Sequence, residues 1–344
     1  MRAAVTGATS GVGMRLCEVL RERGGPAAVI RGLVRDPERG DARRLAALGV
    51  ELVRGDLADD ASLGHLVAGA DVVFHTAAHV GEWGPPETFV AVNVAGTRRM
   101  VEASAAAGVR RFVHLSSTAV YGRPDRGRVT EAWPVRRSGQ AYDDTKVDAE
   151  RVAFARGAEL GLEVTAIRPP VIYGPYDRNF LPRAVKALGE GRFLLIDGGR
   201  APLNLVWVDH VIDVMLAASE RPEAVGEAFN VMDEVDGRPP SVREVATAIA
   251  EACALRPPAR SVPFAVALAA SRVVYDAFVL ARAEAPPPLT PFSVVILTRD
   301  VIYDASKAAR LLGFVPRQGA LEGVRREAEA HARRQATGPT APAA

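Results

Sequence analysis

Lysine and cysteine are both scarce in this chain. Only three of its 344 residues are lysine, whereas the other forty basic residues are arginine. The two cysteines, Cys17 and Cys253, are too few for a disulfide framework, and no signal peptide is recognisable, so we expect a cytoplasmic protein. The six histidines have no metal-ligand spacing, so no metal site is expected. A formal net charge of +2 argues against dedicated nucleic-acid binding.

The sequence also lacks a long uninterrupted hydrophobic run. Its most apolar stretch, 262–281, contains Arg272 and Asp276, which make it a poor membrane-spanning segment. It could be an amphipathic helix that covers a core, or it could line a lipophilic pocket or contact a membrane surface. At 344 residues and 48% hydrophobic, the chain exceeds one average domain, and two lobes are expected.

One of the few lysines stands at a chemically informative spacing. Lys146 follows Tyr142 by four residues, and on a helix this spacing puts both side chains on one face. A neighbouring ammonium favours the phenolate and should lower the pKa of the tyrosine, which suits general acid/base catalysis. The alternative is a surface helix on which the two residues have no joint role.

The N-terminus has the order of elements that a dinucleotide site requires. Residues 1–5 predict an apolar strand, Gly7, Gly11 and Gly13 follow, and 14–20 predict a helix. Glycines allow the backbone to approach a pyrophosphate, and the start of the helix offers free N–H groups. A glycine motif alone would also fit an ordinary turn, but the preceding strand and following helix favour cofactor binding.

Strands and helices then alternate through the first half of the chain. Strands are predicted at 29–34, 50–53, 72–75, 112–116 and 164–168, and helices at 42–48, 62–68, 94–107 and 142–160. This alternation predicts an α/β fold, a doubly wound parallel Rossmann sheet with its ligand crevice at the carboxyl ends of the strands. Residues 205–216 and 228–231 are expected to return to this sheet. The predicted division is a Rossmann domain of 1–175 and 205–231, a mostly helical substrate lobe of 176–204 and 232–330, and a disordered tail of 331–344.

Several motifs together resemble those of the extended short-chain dehydrogenase/reductases, also called the NAD-dependent epimerase/dehydratase family. They are Thr6-Gly7-x5-Gly13, Gly55-Asp56-Leu57, His75-Thr76-Ala77-Ala78, Asn93-x2-Gly96-Thr97, Leu115-Ser116-Ser117, Val120-Tyr121-Gly122, Tyr142-x3-Lys146 and Arg168-Pro169-x4-Gly174-Pro175. The chain departs from the usual pattern at Ser10, where extended members have the middle glycine. Segments 177–183 and 297–316 most resemble the branch of 3β-hydroxysteroid dehydrogenases and dihydroflavonol reductases.

The resemblance implies roles for individual residues. Tyr142 would be the acid/base, Lys146 would lower its pKa and hold the nicotinamide ribose, and Ser117 would hydrogen-bond the substrate oxygen. Thr118 is the other candidate for that hydroxyl. Asn93 is expected to fix helix and loop backbone rather than to contact substrate.

The end of the second strand bears on the choice of cofactor. Arg35 suits the 2'-phosphate of NADP, whereas the following Asp36 would suit the ribose hydroxyl of NAD. NADP is therefore expected, with NAD as the alternative. The cofactor-binding residues implied are Gly7, Thr9, Ser10, Gly11, Val12, Gly13, Arg35, Asp56, Leu57, Thr76, Ala77, Ala78, Tyr142, Lys146, Pro169 and Val171.

The resemblance also implies the reaction class. We expect an oxidoreductase that interconverts a hydroxyl and a ketone on a bulky, lipophilic steroid-, flavonoid- or 3-keto-acyl-like molecule, working as a homodimer. Thr118, His79, Trp83 and Asn179 are the candidate substrate residues. A nucleotide-sugar 4-epimerase or dehydratase with tightly bound NAD is the first alternative. A nonenzymatic NADP-sensing protein is the second, although the intact Ser117, Tyr142 and Lys146 argue against it.

Overall fold

A central parallel sheet organises the molecule. The structure is a computed structural model and describes residues 1–235, 237–283 and 285–336. Seven strands form the sheet in the order β11-β7-β5-β4-β1-β2-β3, and all neighbouring pairs are parallel. Their bounds are β1 Arg2–Thr6, β2 Val29–Val34, β3 Glu51–Arg54, β4 Val72–His75, β5 Arg111–Leu115, β7 Glu163–Arg168 and β11 Ala228–Asn230. The predicted doubly wound α/β fold is confirmed.

The sequence of the central strands explains their position. β4 and β5 are buried along their whole length, as continuous runs of apolar and β-branched residues require in a sheet that is covered on both faces. The register pairs Ala3 with Val72 and Val73 with Phe112, which stacks apolar side chains across neighbouring strands. The carboxyl ends of β1, β4 and β5 therefore meet at one edge of the sheet.

Helices cover both faces of this sheet and build the rest of the chain. They are α1 Gly11–Gly24, α2 Gly40–Ala47, α3 Asp60–Val67, α4 Pro86–Phe89, α5 Gly96–Ala106, α6 Ala141–Leu160, α7 Leu181–Gly189, α8 Val208–Glu220, α9 Val242–Ala252, α10 Phe264–Leu280, α11 Pro291–Ile296, α12 Ser306–Leu312 and α13 Ala320–Ala336. Helices α2, α3, α5 and α6 lie within two residues of their predicted bounds, whereas α1 begins three residues before and ends four residues after the predicted 14–20.

The later segments return to the sheet only in part as expected. β11 pairs with β7 and extends the main sheet, and α8 packs on β5 and β7. β10, Leu205–Trp207, instead pairs with β8, Val171–Tyr173, in a separate two-stranded sheet. Two more such pairs join β9 Leu195–Ile196 to β12 Ser261–Val262, and β6 Arg126–Val129 to β13 Asp300–Tyr303. The division into two lobes remains a prediction.

The apolar stretch forms helix α10, and both of its faces are apolar. Ala267 and Ser271 are buried, and Phe264 packs in a small cluster with Ile196 and Val294. On the opposite face Val273 is 71% exposed and Leu280 87% exposed. The helix therefore covers a small core without being amphipathic in the usual sense. None of the helices in the described ranges is long and apolar enough to cross a bilayer.

The last helix corrects the expected start of the tail. α13 continues through residues 331–336, which were expected to be disordered. It packs on α9 through buried Ala320, Val324 and Ala328, and this apolar face at helical spacing supports the continuous helix. Residues 337–344 lie outside the described residues.

Candidate active site

The glycine loop connects β1 to α1 and has no room for side chains at two positions. Gly7 has a φ of 66°, a left-handed conformation that favours glycine. A Cβ at Gly13 would lie 2.1 Å from the carbonyl oxygen of Gly7. The first turn of α1 leaves N–H groups without intrahelical partners, and these point out of the helix start. The loop therefore fits a dinucleotide pyrophosphate.

Ser10 has a structural role at the position where relatives have glycine. It is the N-cap of α1, and its hydroxyl accepts a hydrogen bond of 3.1 Å from the Gly13 N–H. Thr9, Gly11 and Val12 are partly exposed beside it, and Ser10 is exposed. The departure from the family pattern thus leaves the helix start intact.

At the end of β2, Arg35 and Asp36 differ in whether the side chain is already hydrogen-bonded. Both are exposed, but the Asp36 carboxylate accepts a hydrogen bond of 3.0 Å from the Glu38 N–H. The neighbouring strand β3 ends at Arg54, which is paired in register with Val34 just before Arg35. Two arginines therefore stand at adjacent strand ends, and sequence reasoning missed Arg54 because the register of β3 was unknown.

The ends of β3 and β4 lie beside the glycine loop. Asp56 is exposed and closes a turn, since its carboxylate accepts from the Ala58 N–H, whereas Leu57 is buried in the core. The Thr76 hydroxyl donates to the Thr6 carbonyl at 2.7 Å, and a Cβ at Gly7 would meet Ala77 backbone at 2.8 Å. Ala78 follows and is partly exposed.

The strand ends and the start of α6 bring the predicted serine and tyrosine together. Ser117 follows β5 and is the N-cap of a short 3-10 turn, Thr118–Tyr121. Its hydroxyl lies close enough to the Tyr142 phenol to lower the pKa of that phenol. The Thr118 hydroxyl instead lies near Tyr303, whose pKa it lowers. Of the two candidate hydroxyls, the structure brings that of Ser117 to Tyr142.

The pKa of Tyr142 is raised rather than lowered, contrary to the expectation drawn from Lys146. Burial raises the pKa of the phenol to about 12 and outweighs the lowering effect of the Ser117 hydroxyl. The charge of Asp143 raises this pKa further. The lysine does not contact the phenol; its Nζ donates to the Leu115 carbonyl at 2.7 Å. Tyr142 is therefore a protonated phenol at neutral pH and suited to donate a proton.

The Lys146 ammonium is buried at the carboxyl end of β5. Burial lowers its pKa to about 8, and the charge of Glu150 opposes this shift. His75 and His114 stack beneath the site with ring centroids 5.5 Å apart. Burial and the Lys146 charge lower the pKa of His75 to about 3 and that of His114 well below its usual range, so both rings are neutral.

A buried polar network extends from this site along α6, and the sequence analysis did not identify it. Glu150 accepts hydrogen bonds from the Ser116 hydroxyl at 2.6 Å and from Arg168 Nε at 3.0 Å. Arg168 also donates to the Tyr121 hydroxyl at 2.9 Å. Glu150 lies four residues after Lys146, so the spacing that marked Tyr142 and Lys146 could have indicated it.

Asn93 has the structural role that was expected. It lies in a π-helical segment, Val90–Ala95, and its amide holds the backbone of His79 through bonds of 2.7 Å and 3.1 Å. The same amide donates to the Thr145 hydroxyl at 3.0 Å. Asn93 therefore ties the loop after β4 to helix α6, which carries Tyr142.

Two other candidate substrate residues lie in different parts of the fold: Trp83 contacts α10, whereas Asn179 follows Arg178, which pairs with α2. Trp83 packs edge-on against Tyr275 of α10 and donates to the Ala283 carbonyl at 3.0 Å. The Asn179 segment lies on the nucleotide side, because its neighbour Arg178 forms an ion pair of 2.8 Å with Asp41 of α2. Sequence spacing could not show this long-range contact.

The two remaining positions lie on the segment after β7. The Pro169 carbonyl accepts from the Thr118 N–H at 3.0 Å, and Val171 begins β8 with 37% of its surface exposed. Within the described ranges, no three His, Cys, Asp or Glu side chains are grouped as metal ligands.

Comparison with curated proteins identifies relatives that are reductases and dehydrogenases. A 2-alkyl-3-oxoalkanoate reductase of Stenotrophomonas maltophilia is 30% identical over 334 residues, which are 95% of this chain and 98% of that protein. A 3 beta-hydroxysteroid dehydrogenase/Delta 5-->4-isomerase of Mycobacterium tuberculosis is 31% identical over 246 residues, 67% of this chain and 65% of that protein. These names support the prediction of an oxidoreductase for hydroxyl or carbonyl groups.

Solved structures and a family model agree on the fold. MoeE5 in complex with UDP-glucose and NAD is 26% identical, with a TM-score of 0.74 over 97% of this chain and 99% of that one. The model of the NAD dependent epimerase/dehydratase family matches residues 3–231, which contain the glycine loop, Ser117, Tyr142 and Lys146. The chain belongs to the NAD dependent epimerase/dehydratase family.

Proposed function

We propose that this protein is an NADP-dependent oxidoreductase that interconverts a ketone and a hydroxyl on a bulky, largely apolar substrate. The observation that carries the proposal is the Ser117 hydroxyl acting on a protonated Tyr142 phenol, with buried Lys146 one turn further along α6. When bound, the nicotinamide dinucleotide supplies or accepts the hydride. The glycine loop, Thr76 and Ala77 would hold this cofactor.

In the direction of reduction, each of the three side chains has one task. Tyr142 donates its phenolic proton to the carbonyl oxygen as negative charge develops there. Ser117 donates a hydrogen bond to the same oxygen, which stabilises the transition state. Lys146 is held by the Leu115 carbonyl and keeps a positive charge below pH of about 8, so it favours the phenolate that remains after proton transfer.

The preference for NADP rests on the end of β2. Asp36 is engaged by the Glu38 N–H, whereas Arg35 is exposed and Arg54 stands at the adjacent strand end. Guanidinium groups match the geometry of a 2'-phosphate. Binding measured with NADP and NAD tests this part separately.

The apolar residues of α10 and the names of the relatives support a large apolar substrate. Trp83 and Tyr275 join this helix to the loop after β4, and burial of an apolar ligand yields about 25 cal/mol per Å2. The likeness to MoeE5 keeps a nucleotide-sugar enzyme with tightly bound NAD as the second candidate.

One panel separates the two candidates. Steroids, aryl ketones, 3-oxo acids and nucleotide sugars would be offered with NADPH and with NADH. Nicotinamide absorbance reports net reduction, chromatography reports epimerised sugars, and native mass spectrometry reports retained NAD. Reduction of apolar ketones supports the proposal, whereas conversion confined to nucleotide sugars, with NAD retained after purification, refutes it.

A further inference from the structure

Two arginines near the start of α6 are not used by the proposed reaction. Arg123 lies six residues after Ser117, behind the turn at Gly122, which has a φ of 70°. Arg299 precedes β13 and lies near enough for the two charges to interact, since the charge of Arg123 lowers the pKa of Arg299 in addition to the effect of burial. We call Arg123 and Arg299 the arginine pair.

The Arg123 guanidinium presents one edge without a partner. Its Nε and Nη2 atoms are shielded from solvent and make no hydrogen bond, and the group stacks over the Phe292 ring at 4.9 Å. No ion pair within 4.0 Å holds it among the residues that the structure describes. A buried donor without a partner is energetically unfavourable, and a charged one is more so.

Another arginine of this chain shows what such an edge binds. Arg15 uses the same two atoms, Nε and Nη2, to hold both carboxylate oxygens of Asp209 at 2.8 Å and 3.0 Å. This side-on pairing is bidentate, and carboxylates fit it well. The free edge of Arg123 is therefore complementary to a carboxylate.

Two nitrogens of Arg299 already have partners, so it can add positive charge near Arg123 but not a second bidentate contact. Its Nη1 donates to the Pro124 carbonyl at 3.0 Å, and Nη2 lies 3.4 Å from the exposed Asp125 carboxylate. Its Nε is buried without a partner. One donor of Arg299 thus remains for a ligand.

Two acidic groups of the chain lie close enough for the charge of Arg123 to act on them, and neither is hydrogen-bonded to the arginine pair. Asp143, next to Tyr142, is held by the Ser138 hydroxyl at 2.6 Å, and burial raises its pKa to about 6. Glu82 is hydrogen-bonded to Thr290, and burial raises its pKa as well. The charge of Arg123 acts on Asp143, the residue after Tyr142, so the guanidinium lies near the start of α6.

We propose that Arg123, assisted by Arg299, binds a carboxylate of the substrate, which makes the substrate an oxo acid with apolar chains. The carboxylate would lie a few bonds from the reacting carbonyl, as in a 3-oxo acid. This inference rests on the proposed function and adds the group that orients the substrate. The 3-oxo acid gains a hydride at its carbonyl carbon and a proton from Tyr142 at oxygen, the nicotinamide is oxidised, and the carboxylate is unchanged.

The test compares an acid with its ester in binding and in turnover. A long-chain 2-alkyl-3-hydroxy acid and its methyl ester would be titrated by calorimetry and oxidised with NADP and NAD, because 3-hydroxy acids do not decarboxylate. Arg123→Gln, Arg123→Lys and Arg299→Gln would be compared with Arg126→Gln, an exposed arginine three residues further on. Circular dichroism would confirm that each variant is folded.

Arg123→Gln should weaken binding of the acid at least tenfold and raise KM with little change in kcat, since the lost contact acts equally on ground and transition states. Binding of the ester should change less than twofold. Arg123→Lys should recover less than half of the loss, because an ammonium lacks the fork.

Equal loss for acid and ester, or none for the acid, would overturn the carboxylate site while leaving the proposed function intact. Tenfold weaker binding of UDP-glucose in Arg123→Gln, with no binding of the acid to the wild type, would also overturn it and identify a diphosphate as the ligand. Reduction of apolar ketones but no binding of the acid would refute the site alone.

Discussion

Replacing Glu150 by Gln tests how the buried network supports the site. The side chains of Glu150 and Arg168 are 5% and 6% exposed, and Gln would leave the Arg168 charge buried without a counter-charge. Breaking a buried pair in this way costs about 3–5 kcal/mol. Because Gln still accepts one hydrogen bond, we expect a loss near 3 kcal/mol in the free energy of unfolding.

Urea denaturation followed by circular dichroism would measure this loss. With a slope of about 3 kcal/mol per M, the midpoint should fall by about 1 M. Glu227→Gln is the matched control, because Glu227 pairs with Lys307 at 2.6 Å with its side chain 47% exposed, and such pairs contribute below about 1 kcal/mol. An equal shift for both variants would refute the assignment of Glu150 to a buried pair.

The same variant should also change the pH dependence of turnover. Burial lowers the pKa of Lys146 and the Glu150 carboxylate raises it, so that the net value is about 8. Without that carboxylate the pKa falls further, so Lys146 loses its proton at a lower pH. The alkaline limb of the kcat profile should move to lower pH; an unchanged limb would separate Glu150 from Lys146.

Three other changes test the cofactor site and the serine. Arg35→Ala should weaken NADP binding by about 1.5–3 kcal/mol, as for hydrogen bonds to a charged group, and leave NAD nearly unaffected; fluorescence titration with both cofactors would show it, and equal losses would make Arg35 structural. Gly13→Ala should weaken both dinucleotides at least tenfold, because its Cβ would lie 2.1 Å from the Gly7 oxygen, whereas Gly64→Ala has open space and should bind normally. Ser117→Ala should lower kcat, because it removes a few kcal/mol of transition-state stabilisation. Thr118→Val should lower kcat much less, because the Thr118 hydroxyl acts on Tyr303 instead. A larger effect at Thr118 in steady-state assays would reverse the two roles.

The sequence predicted those features that depend on local order along the chain. Apolar runs and the helical segments between them predicted the bounds of β4 and α6 to within one residue. The glycines predicted the loop between β1 and α1. The pairing of β10 with β8 rather than with the main sheet depends on long-range packing, so it was missed. Likewise, local spacing cannot show that Asn179 lies on the nucleotide side.

The sequence predicted which residues come together at the candidate site, but not how burial and charge shift their pKa values. Tyr142 and Lys146 share a helix face as expected, yet the pKa of Tyr142 depends on burial and on where Lys146 finds its acceptor. Neither can be read from a four-residue spacing. Nothing in the sequence singles out Arg123, because about one residue in eight of this arginine-rich chain is basic.

The central claim is that Tyr142 is the proton donor, and Tyr142→Phe tests it most directly. The variant removes the hydroxyl while keeping the ring that packs at the start of α6. With a turned-over ketone in hand, kcat should fall at least about 100-fold, while dinucleotide affinity, measured by fluorescence titration, should change by less than about twofold. A folded Tyr142→Phe protein that keeps wild-type kcat would contradict the account.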